Sequence, residues 1–326
     1  MEVINIKGYG AYAPPLVVSN EDLSKIVDTS NEWIVTRTGI EERRISQGED
    51  TSMLATKAAQ IALSRADVLA EEIDLIVVAT ITPDMATPSV ACMVQKATGA
   101  KNAMAFDVSA ACSGFIYGLE IAFSMMNNNS KFKKAIVIGA EVLSKILDWE
   151  DRSTCVLFGD GAGAVVLSKE ESDENKVVSF YSLSEGEKGD ALCSGSFDVL
   201  NPFVENPIVK NKKVAMDGKE VFKFASTAMV NSIKELLKVN NLSLDEIDYL
   251  VPHQANIRII EYAAKKLGVG IEKFYINLQK YGNTSSATIP LALNEMYEAG
   301  MLTKGKKLIM VGFGGGLTFG STLIEL

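Results

Sequence analysis

The sequence predicts an α/β protein assembled from two related halves. Three observations lead there. Short Val/Ile-rich runs alternate with helical stretches along the chain, the pattern of buried sheets layered with helices. Ile73-Asp74-Leu75-Ile76-Val77-Val78, after Leu69-Ala70-Glu71-Glu72, is echoed 174 positions later by Ile247-Asp248-Tyr249-Leu250-Val251 after Leu244-Asp245-Glu246. Lys133-Lys134-Ala135-Ile136-Val137-Ile138-Gly139 is echoed 173 positions later by Lys306-Lys307-Leu308-Ile309-Met310-Val311-Gly312. Two unrelated matches at nearly one offset indicate an internal repeat. The polar run Lys169 to Lys176 has the composition of a loop and divides the chain into halves at 1–172 and 173–326.

The elements follow in order. Met1 to Lys7 reads as a first strand, with neither the basic start nor the apolar core of a signal peptide. Thr51 to Ala66 is an amphipathic helix whose Ala55, Ala58, Ala59 and Ala62 allow close packing. Phe106-Asp107-Val108 reads as the end of a buried strand. Phe115 to Met126 reads as a helix, with Phe115, Leu119 and Ala122 on one apolar face. Helices are also expected over Ser226 to Val239 and Asn256 to Leu267, the latter stopped by Gly268. Asp160-Gly161 and Gly312 to Gly316 punctuate late strands. Neither cluster is a nucleotide site: Gly159-Asp160-Gly161-Ala162-Gly163-Ala164 and Gly312 to Leu317 both lack the last glycine of GxGxxG, and the first runs into a strand.

The 326 residues are 47% apolar and 22% charged, ordinary for a globular protein. No window holds ~18 uninterrupted apolar residues, so no membrane span is expected. A net charge of −9 argues against a nucleic-acid partner, which needs a basic surface. It leaves room for an acidic partner on a local basic patch. The four cysteines, at 92, 112, 155 and 193, show no CxxC and no paired spacing, so neither disulfides nor a zinc site is indicated. A reducing cytoplasm is the expected location. His253 is the single histidine, which rules out any mechanism needing two.

Three places carry chemistry. Ser109-Ala110-Ala111-Cys112-Ser113-Gly114 joins a strand to a helix through small residues that let a substrate approach the backbone. Cys112, at the first turn, faces unpaired N–H groups and the positive end of the helix dipole. That position lowers a thiol pKa from about 8.5 toward the ~3.5–7.5 range of reactive cysteines. Alone, the stretch suits either a nucleophile or a small buried core residue. His253, in Val251-Pro252-His253-Gln254-Ala255-Asn256, is by itself more often structural than catalytic. Asn283, in Tyr281-Gly282-Asn283-Thr284-Ser285-Ser286, is by itself an N-cap. Together they change weight, because each is expected where a strand gives way to a helix, the edge at which α/β proteins build sites.

Ala110-Ala111-Cys112-Ser113-Gly114, His253-Gln254-Ala255-Asn256, Gly282-Asn283-Thr284-Ser285 and Gly312-Phe313-Gly314-Gly315-Gly316 together resemble the β-ketoacyl-acyl-carrier-protein synthase III family, condensing enzymes of the thiolase superfamily. The resemblance spans the chain, taking in Asp28 to Ile34, Arg37-Thr38-Gly39-Ile40 and Asp148-Trp149-Glu150-Asp151-Arg152. It implies a duplicated thiolase-like fold, a five-layer αβαβα sandwich with two pseudo-symmetric halves. It also implies that Cys112 takes an acyl group from acyl-CoA, releasing CoA. The enolate left by decarboxylation of a malonyl group on the acyl carrier protein then attacks that acyl group, with His253 and Asn283 as neutral donors. The backbone N–H groups of Cys112 and Gly315 are the implied oxyanion hole. No metal or redox cofactor is implied.

By the same resemblance, Trp33 and Arg152 sandwich the adenine of CoA, Arg37 lies near its phosphates, and Gly218 and Asn256 line the pantetheine arm. Read without the family, Trp33 is core and the arginines are solvated ion pairs. Arg258, Lys265 and Lys266 fall at i, i+7 and i+8 of one predicted helix. With Lys223 they match the family's carrier-docking patch, although a solvated helix face explains the spacing too. Thr87 matches the position from which the partner subunit of a homodimer closes the acyl tunnel. Its small side chain implies that branched or longer primers are accepted beside acetyl-CoA. Phe313 is expected beside the decarboxylation site, at the acyl pocket.

Neighbouring reaction types separate by what is missing. Cys-His-His condensing enzymes need a second histidine. Thiolases need a second cysteine near the C-terminal glycine turn, and the last here is Cys193. The hydroxymethylglutaryl-CoA synthase type needs a catalytic glutamate, for which no motif is found. Chalcone-synthase-like enzymes share Cys-His-Asn and are set apart by the CoA-site motifs and length. Two alternatives stay open on the sequence: a secondary-metabolite ketosynthase or acyltransferase of the same fold, and a non-catalytic partner subunit, against which Cys112 argues.

Overall fold

The computed structural model describes residues 2–173 and 176–326. Two sheets organise it. The first contains Glu2–Tyr12 (β1), Leu75–Ala79 (β2), Met104–Val108 (β3), Lys134–Glu141 (β4) and Gly161–Glu171 (β5), in the order β1-β5-β4-β2-β3. The second contains Val178–Ser184 (β6), Tyr249–Pro252 (β7), Lys307–Gly314 (β8) and Thr318–Glu325 (β9), in the order β7-β8-β9-β6. In the first sheet β2 and β4 run parallel while β5 is antiparallel to both β4 and β1. In the second, β7 and β8 run parallel while β9 is antiparallel to both β8 and β6. The two sheets therefore repeat one another strand for strand, in the register of the sequence echo. The counterpart of β3 is reduced to a single bridge between Leu250 and Phe274.

The principal helices are Asn31–Thr38 (α1), Thr51–Ala66 (α2), Val90–Thr98 (α3), Gly114–Asn128 (α4), Gly218–Asn240 (α5), Ile257–Leu267 (α6) and Thr288–Glu298 (α7). Alternate residues of each strand serve different layers. Leu75 and Val77 of β2 join Phe115 and Leu119 of α4, Ile289 and Leu293 of α7, and Leu308 and Met310 of β8 in a central core. Ile76 and Val78 point the other way, onto Ala58 and Ala62 of α2 and Val94 of α3. Ile309 and Val311 of β8 pack outward on Ile233 of α5 and Ile260 of α6. The result is helix, sheet, helix pair, sheet, helix: the five-layer αβαβα thiolase fold. The alanines of α2 serve close packing as expected, for a Cβ on Gly10 of β1 would collide with the carbonyl of Ala58.

Several expectations need correcting. Phe106-Asp107-Val108 is half-buried, since β3 is an edge strand with Met104 49% exposed. Lys169 to Glu171 continue β5 instead of looping, held by Lys169–Glu2 and Lys7–Glu170 ion pairs at 2.7 Å each. The remainder of that polar run includes 174 and 175, which lie outside the described residues. The helix expected from Ser226 begins at Gly218, because the Asp217 carboxylate accepts from the N–H groups of Lys219 and Glu220 at 3.0 and 3.1 Å. Asn283 follows a short helix, Leu278–Tyr281, and not a strand. There the buried Gln254 Oε1 accepts from Asn277 N and Leu278 N, at 2.8 and 2.9 Å, and turns the chain. Among the described residues no helix is long and apolar enough to cross a membrane.

Candidate active site

Three tight turns meet where the halves join: Ala111–Ser113, Ser285–Ala287 and Gly315–Leu317. Each holds a non-glycine residue in the left-handed region: Ala111 at φ 45°, Ser285 at φ 49° and Leu317 at φ 48°. Such strain persists only where surrounding structure enforces it, typically at working sites. Here it follows the repeat. Ala111 and Ser285 are 174 positions apart, so the bend presenting Cys112 has its twin in the bend after Asn283.

Cys112 is buried at 6% exposure, in the turn before α4. It rests on bare backbone: a Cβ on Gly314 would lie 2.6 Å from Cys112 Cβ and 2.8 Å from its Sγ. The backbone N–H groups of Cys112 itself and of Gly315 favour its thiolate, as does the Ser285 hydroxyl, while the charge of Glu141 opposes it. Burial outweighs them and pushes the thiol up to about 12. The lowering expected from the helix end is therefore not the net outcome in the free protein.

His253 follows β7, its N–H donating to Val311 O at 2.6 Å. Its ring meets Phe313 edge-on, centroids 5.1 Å apart. Burial takes its pKa down to about 3, so the imidazole is neutral at ordinary pH. Its Nδ1 is buried and has no hydrogen-bond partner among the described residues. Asn283 exchanges backbone hydrogen bonds with Leu157 O and Gly159 N at 2.8 and 3.0 Å. Its Oδ1 accepts from Ser285 N at 2.8 Å, which commits the oxygen and leaves the amide nitrogen to donate. Asn283 is not the N-cap expected: that position is Thr284, and the Asn283 side chain instead closes a turn onto the N–H two residues ahead. Each group has its own neighbours: the sulfur lies by Gly314 and is favoured as thiolate by the Gly315 N–H, the imidazole meets Phe313, and the carboxamide bonds Ser285. Of the three, only Cys112 is among the residues lining the large cavity.

A cavity of about 1350 Å³ opens over Cys112, lined among others by Ile81, Ile146, Phe158, Leu192, Ser285 and Gly315. Thr87 is exposed and does not line it; nor does Phe313, which is 2% exposed in the core behind His253. Trp33 lies on α1 with the guanidinium of Arg37 4.7 Å and that of Arg152 5.3 Å from its ring centroid. Arg152 thus stacks on Trp33 directly, held by the Asp28 carbonyl at 2.8 Å, with no room between them for an adenine. Asn256 caps α6, its Oδ1 accepting from Arg258 N at 2.9 Å, and Arg258 reaches Thr36 O on α1 at 2.9 Å. Gly218 opens α5, where a Cβ would meet only Met216 Cε at 3.8 Å. Lys223, Lys265 and Lys266 are exposed and form no ion pair among the described residues.

Comparison with known proteins decides the family. The 3-oxoacyl-[acyl-carrier-protein] synthase III model matches residues 106–186, and the model for the C-terminal part of that family matches 237–326. The β-ketoacyl-[acyl-carrier-protein] synthase III of Clostridium acetobutylicum is 54% identical over 325 residues, 100% of this chain and 99% of the relative. The chain belongs to the β-ketoacyl-[acyl-carrier-protein] synthase III family. The Clostridium botulinum (strain Okra) synthase III is 55% identical over 99% of each chain. The crystal structure of the Aquifex aeolicus synthase III superposes with a TM-score of 0.92 at 46% identity, over 99% of this chain and 100% of that one.

Two residues of this site are given no role by the sequence reading. Gln254 sits beside His253, yet its structural work is at Leu278. Glu141 ends a Val/Ile-rich strand that reads as core, and nothing local distinguishes its carboxylate. It is fully buried and takes hydrogen bonds from Thr82 Oγ1 at 2.6 Å, Ile81 N at 3.1 Å, and both Ser285 Oγ and Ser286 Oγ at 3.1 Å.

Proposed function

We infer that the chain is a priming condensing enzyme. It joins an acyl-CoA to malonyl-acyl carrier protein, giving β-ketoacyl-acyl carrier protein, CO2 and CoA, the first condensation of fatty acid synthesis. The observation that carries this is the Cys112 sulfur lying against the backbone of Gly314 and Gly315, in a chain about half identical to synthases III over its full length.

The Cys112 sulfur attacks the thioester carbon, and the carbonyl oxygen becomes an oxyanion at the N–H groups of Cys112 and Gly315. Collapse expels CoA thiolate and leaves an acyl-cysteine. The malonyl thioester then loses CO2. Its enolate oxygen is held by Asn283 Nδ2 and His253 Nε2 while the enolate carbon attacks the acyl carbon and sulfur departs. A neutral imidazole suits this step because it donates without adding a charge to a buried pocket. The unpartnered Nδ1 favours a proton on Nε2, since a buried bare lone pair is less costly than an unpaired N–H. Phe313 holds the ring edge-on. The proposed chemistry uses no metal or redox cofactor.

Trp33, Arg37 and Arg152 are the proposed CoA clamp: Arg152 swings off the indole to admit adenine, and Asn256 and Gly218 lie along the pantetheine arm. Lys223, Arg258, Lys265 and Lys266 are proposed to dock the acidic carrier. A homodimer is supported by β3, an exposed edge with unpaired backbone groups. In it, Thr87 of a second copy would close the acyl cavity, whose size suits branched and longer primers. The repeat halves 1–172 and 173–326 act as one unit with the site at their seam, and a cytoplasmic location fits the chemistry. The test is a mass measurement after incubation with acetyl-CoA and longer acyl-CoAs. An acyl adduct on Cys112, discharged by malonyl-acyl carrier protein with release of CO2, is expected. No adduct from any acyl-CoA would remove the reading.

A further inference from the structure

We propose that Glu141, acting through the hydroxyl of Ser285, receives the proton that Cys112 must shed to become acylated. This rests on Cys112 as the acyl acceptor.

Ser285 Oγ lies 3.1 Å from Glu141 Oε1, Ser285 and Cys112 line the same cavity, and the Ser285 hydroxyl favours the Cys112 thiolate. Ser285 is fixed in the left-handed backbone region at φ 49°, with its N–H donating to Asn283 Oδ1 at 2.8 Å. Burial keeps His253 neutral and a poor proton acceptor, and the carboxylates Asp84, Asp107 and Asp198 that line the same cavity are engaged by the N–H groups of Ser52, of Val90 and Ala91, and of Lys210. Burial raises the Glu141 carboxyl above the ordinary carboxylate range, which makes it a stronger proton acceptor, while the hydroxyls of Thr80, Thr82, Ser285 and Ser286 and the Ile81 N–H hold its ionised form. It has no ion pair among the described residues. The facing groups from the packed elements are hydroxyls and one backbone N–H. Lys145 is engaged elsewhere, with the Thr82 carbonyl at 3.1 Å and the Asp50 carboxylate.

The charge balance supports a transfer. As a carboxylate, Glu141 opposes ionisation of Cys112; once protonated, it no longer does. One negative charge moves from oxygen to sulfur and none is added to the pocket, which avoids the cost of burying a second. The S–H proton passes to Ser285 Oγ as the Ser285 O–H proton passes to Glu141. The freed sulfur pair forms the bond to the thioester carbon, and the π pair moves to oxygen. When the intermediate collapses, the C–S bond to CoA breaks onto its sulfur, and the departing thiolate takes the proton back along the same path.

The test is single-turnover acylation of Cys112 by acetyl-CoA, followed by mass from pH 6 to 9, in wild type, Glu141→Gln and Ser285→Ala. Wild-type rates are expected to vary little with pH wherever Glu141 is ionised, because the proton stays inside, and to fall only where acid protonates Glu141 first. Both variants are expected to lose about 10²-fold near pH 7, the lower range for positioned proton transfer. They then regain about tenfold per pH unit as Cys112 ionises to solvent. Ser285→Ala keeps Glu141 in place, so it reports even where Glu141→Gln fails to fold. Either soluble variant acylating at the wild-type rate at pH 7, or losing the same factor at every pH, overturns the relay. Wild type that forms no adduct overturns Cys112 as the acyl acceptor instead.

Discussion

Substituting Gly314 by alanine tests the site at its tightest point. Its φ of 178° is extended backbone open to any residue, so the effect is steric alone. The new methyl would sit 2.6 Å from Cys112 Cβ, 2.8 Å from Sγ and 2.9 Å from its N. Ordinary carbon contacts are ~3.5–4.0 Å, so Cys112 or the glycine turn must yield by about 1 Å. Overpacking of this kind costs about 1–3 kcal/mol of stability, which leaves the protein folded. Displacing a nucleophile by about 1 Å costs on the order of 10²-fold in rate. Single-turnover acylation by acetyl-CoA, read by mass, is expected to slow by that factor while thermal unfolding shifts modestly. Gly186→Ala is the control, since a Cβ there meets nothing within 4 Å and its rate should match wild type. A Gly314→Ala protein acylating at more than half the wild-type rate would refute the placement of the sulfur.

Four further outcomes follow. His253→Gln should cut condensation with malonyl-acyl carrier protein by about 10²–10³-fold while acylation of Cys112 survives; equal loss in both half-reactions would contradict the donor role. Because folding lowers the His253 pKa to about 3, its contribution to stability is complete above about 6.5 and lost as pH falls toward 3. The melting temperature of His253→Gln should thus fall less than wild type between pH 6.5 and 4, and parallel curves would count against burial of a neutral ring. Reversing charge at Lys223 and Lys265 should raise the carrier-protein KM at low salt and matter less at high salt, with a KM indifferent to both as the contrary result. Thr87→Phe should narrow an acyl-CoA panel toward acetyl; a panel already confined to acetyl, or unmoved by the change, would end that assignment.

How much of this was legible in the sequence depended on the range of the interaction. The repeat, the alternation of helix and strand and the helix α2 follow from local patterns, because amphipathic spacing and small-residue stripes are written residue by residue. Edge position is not local: β3 has the composition of a buried strand and is half-exposed because no described strand of this chain covers it. The start of α5 was set by one aspartate cap outside the apolar pattern. Cys112, His253 and Asn283 could be singled out because each stands in a small-residue or polar turn. Their electrostatics could not, since the thiol pKa is set by burial and by Glu141, which is distant in sequence. Gln254 and Glu141 escaped for the same reason: their partners lie 23 and 144 positions away.

The twinned bends at 111 and 285 have a consequence for how such a pocket tolerates change. One mould, used twice, contributes two turns to the same chamber through Cys112 and Ser285, and the position that bears sulfur in one copy bears the Ser286 hydroxyl in the other. What separates a reactive wall from an inert one is then a handful of side chains laid over a common scaffold. Exchanging those few atoms between the copies should relocate chemistry without redrawing the chamber.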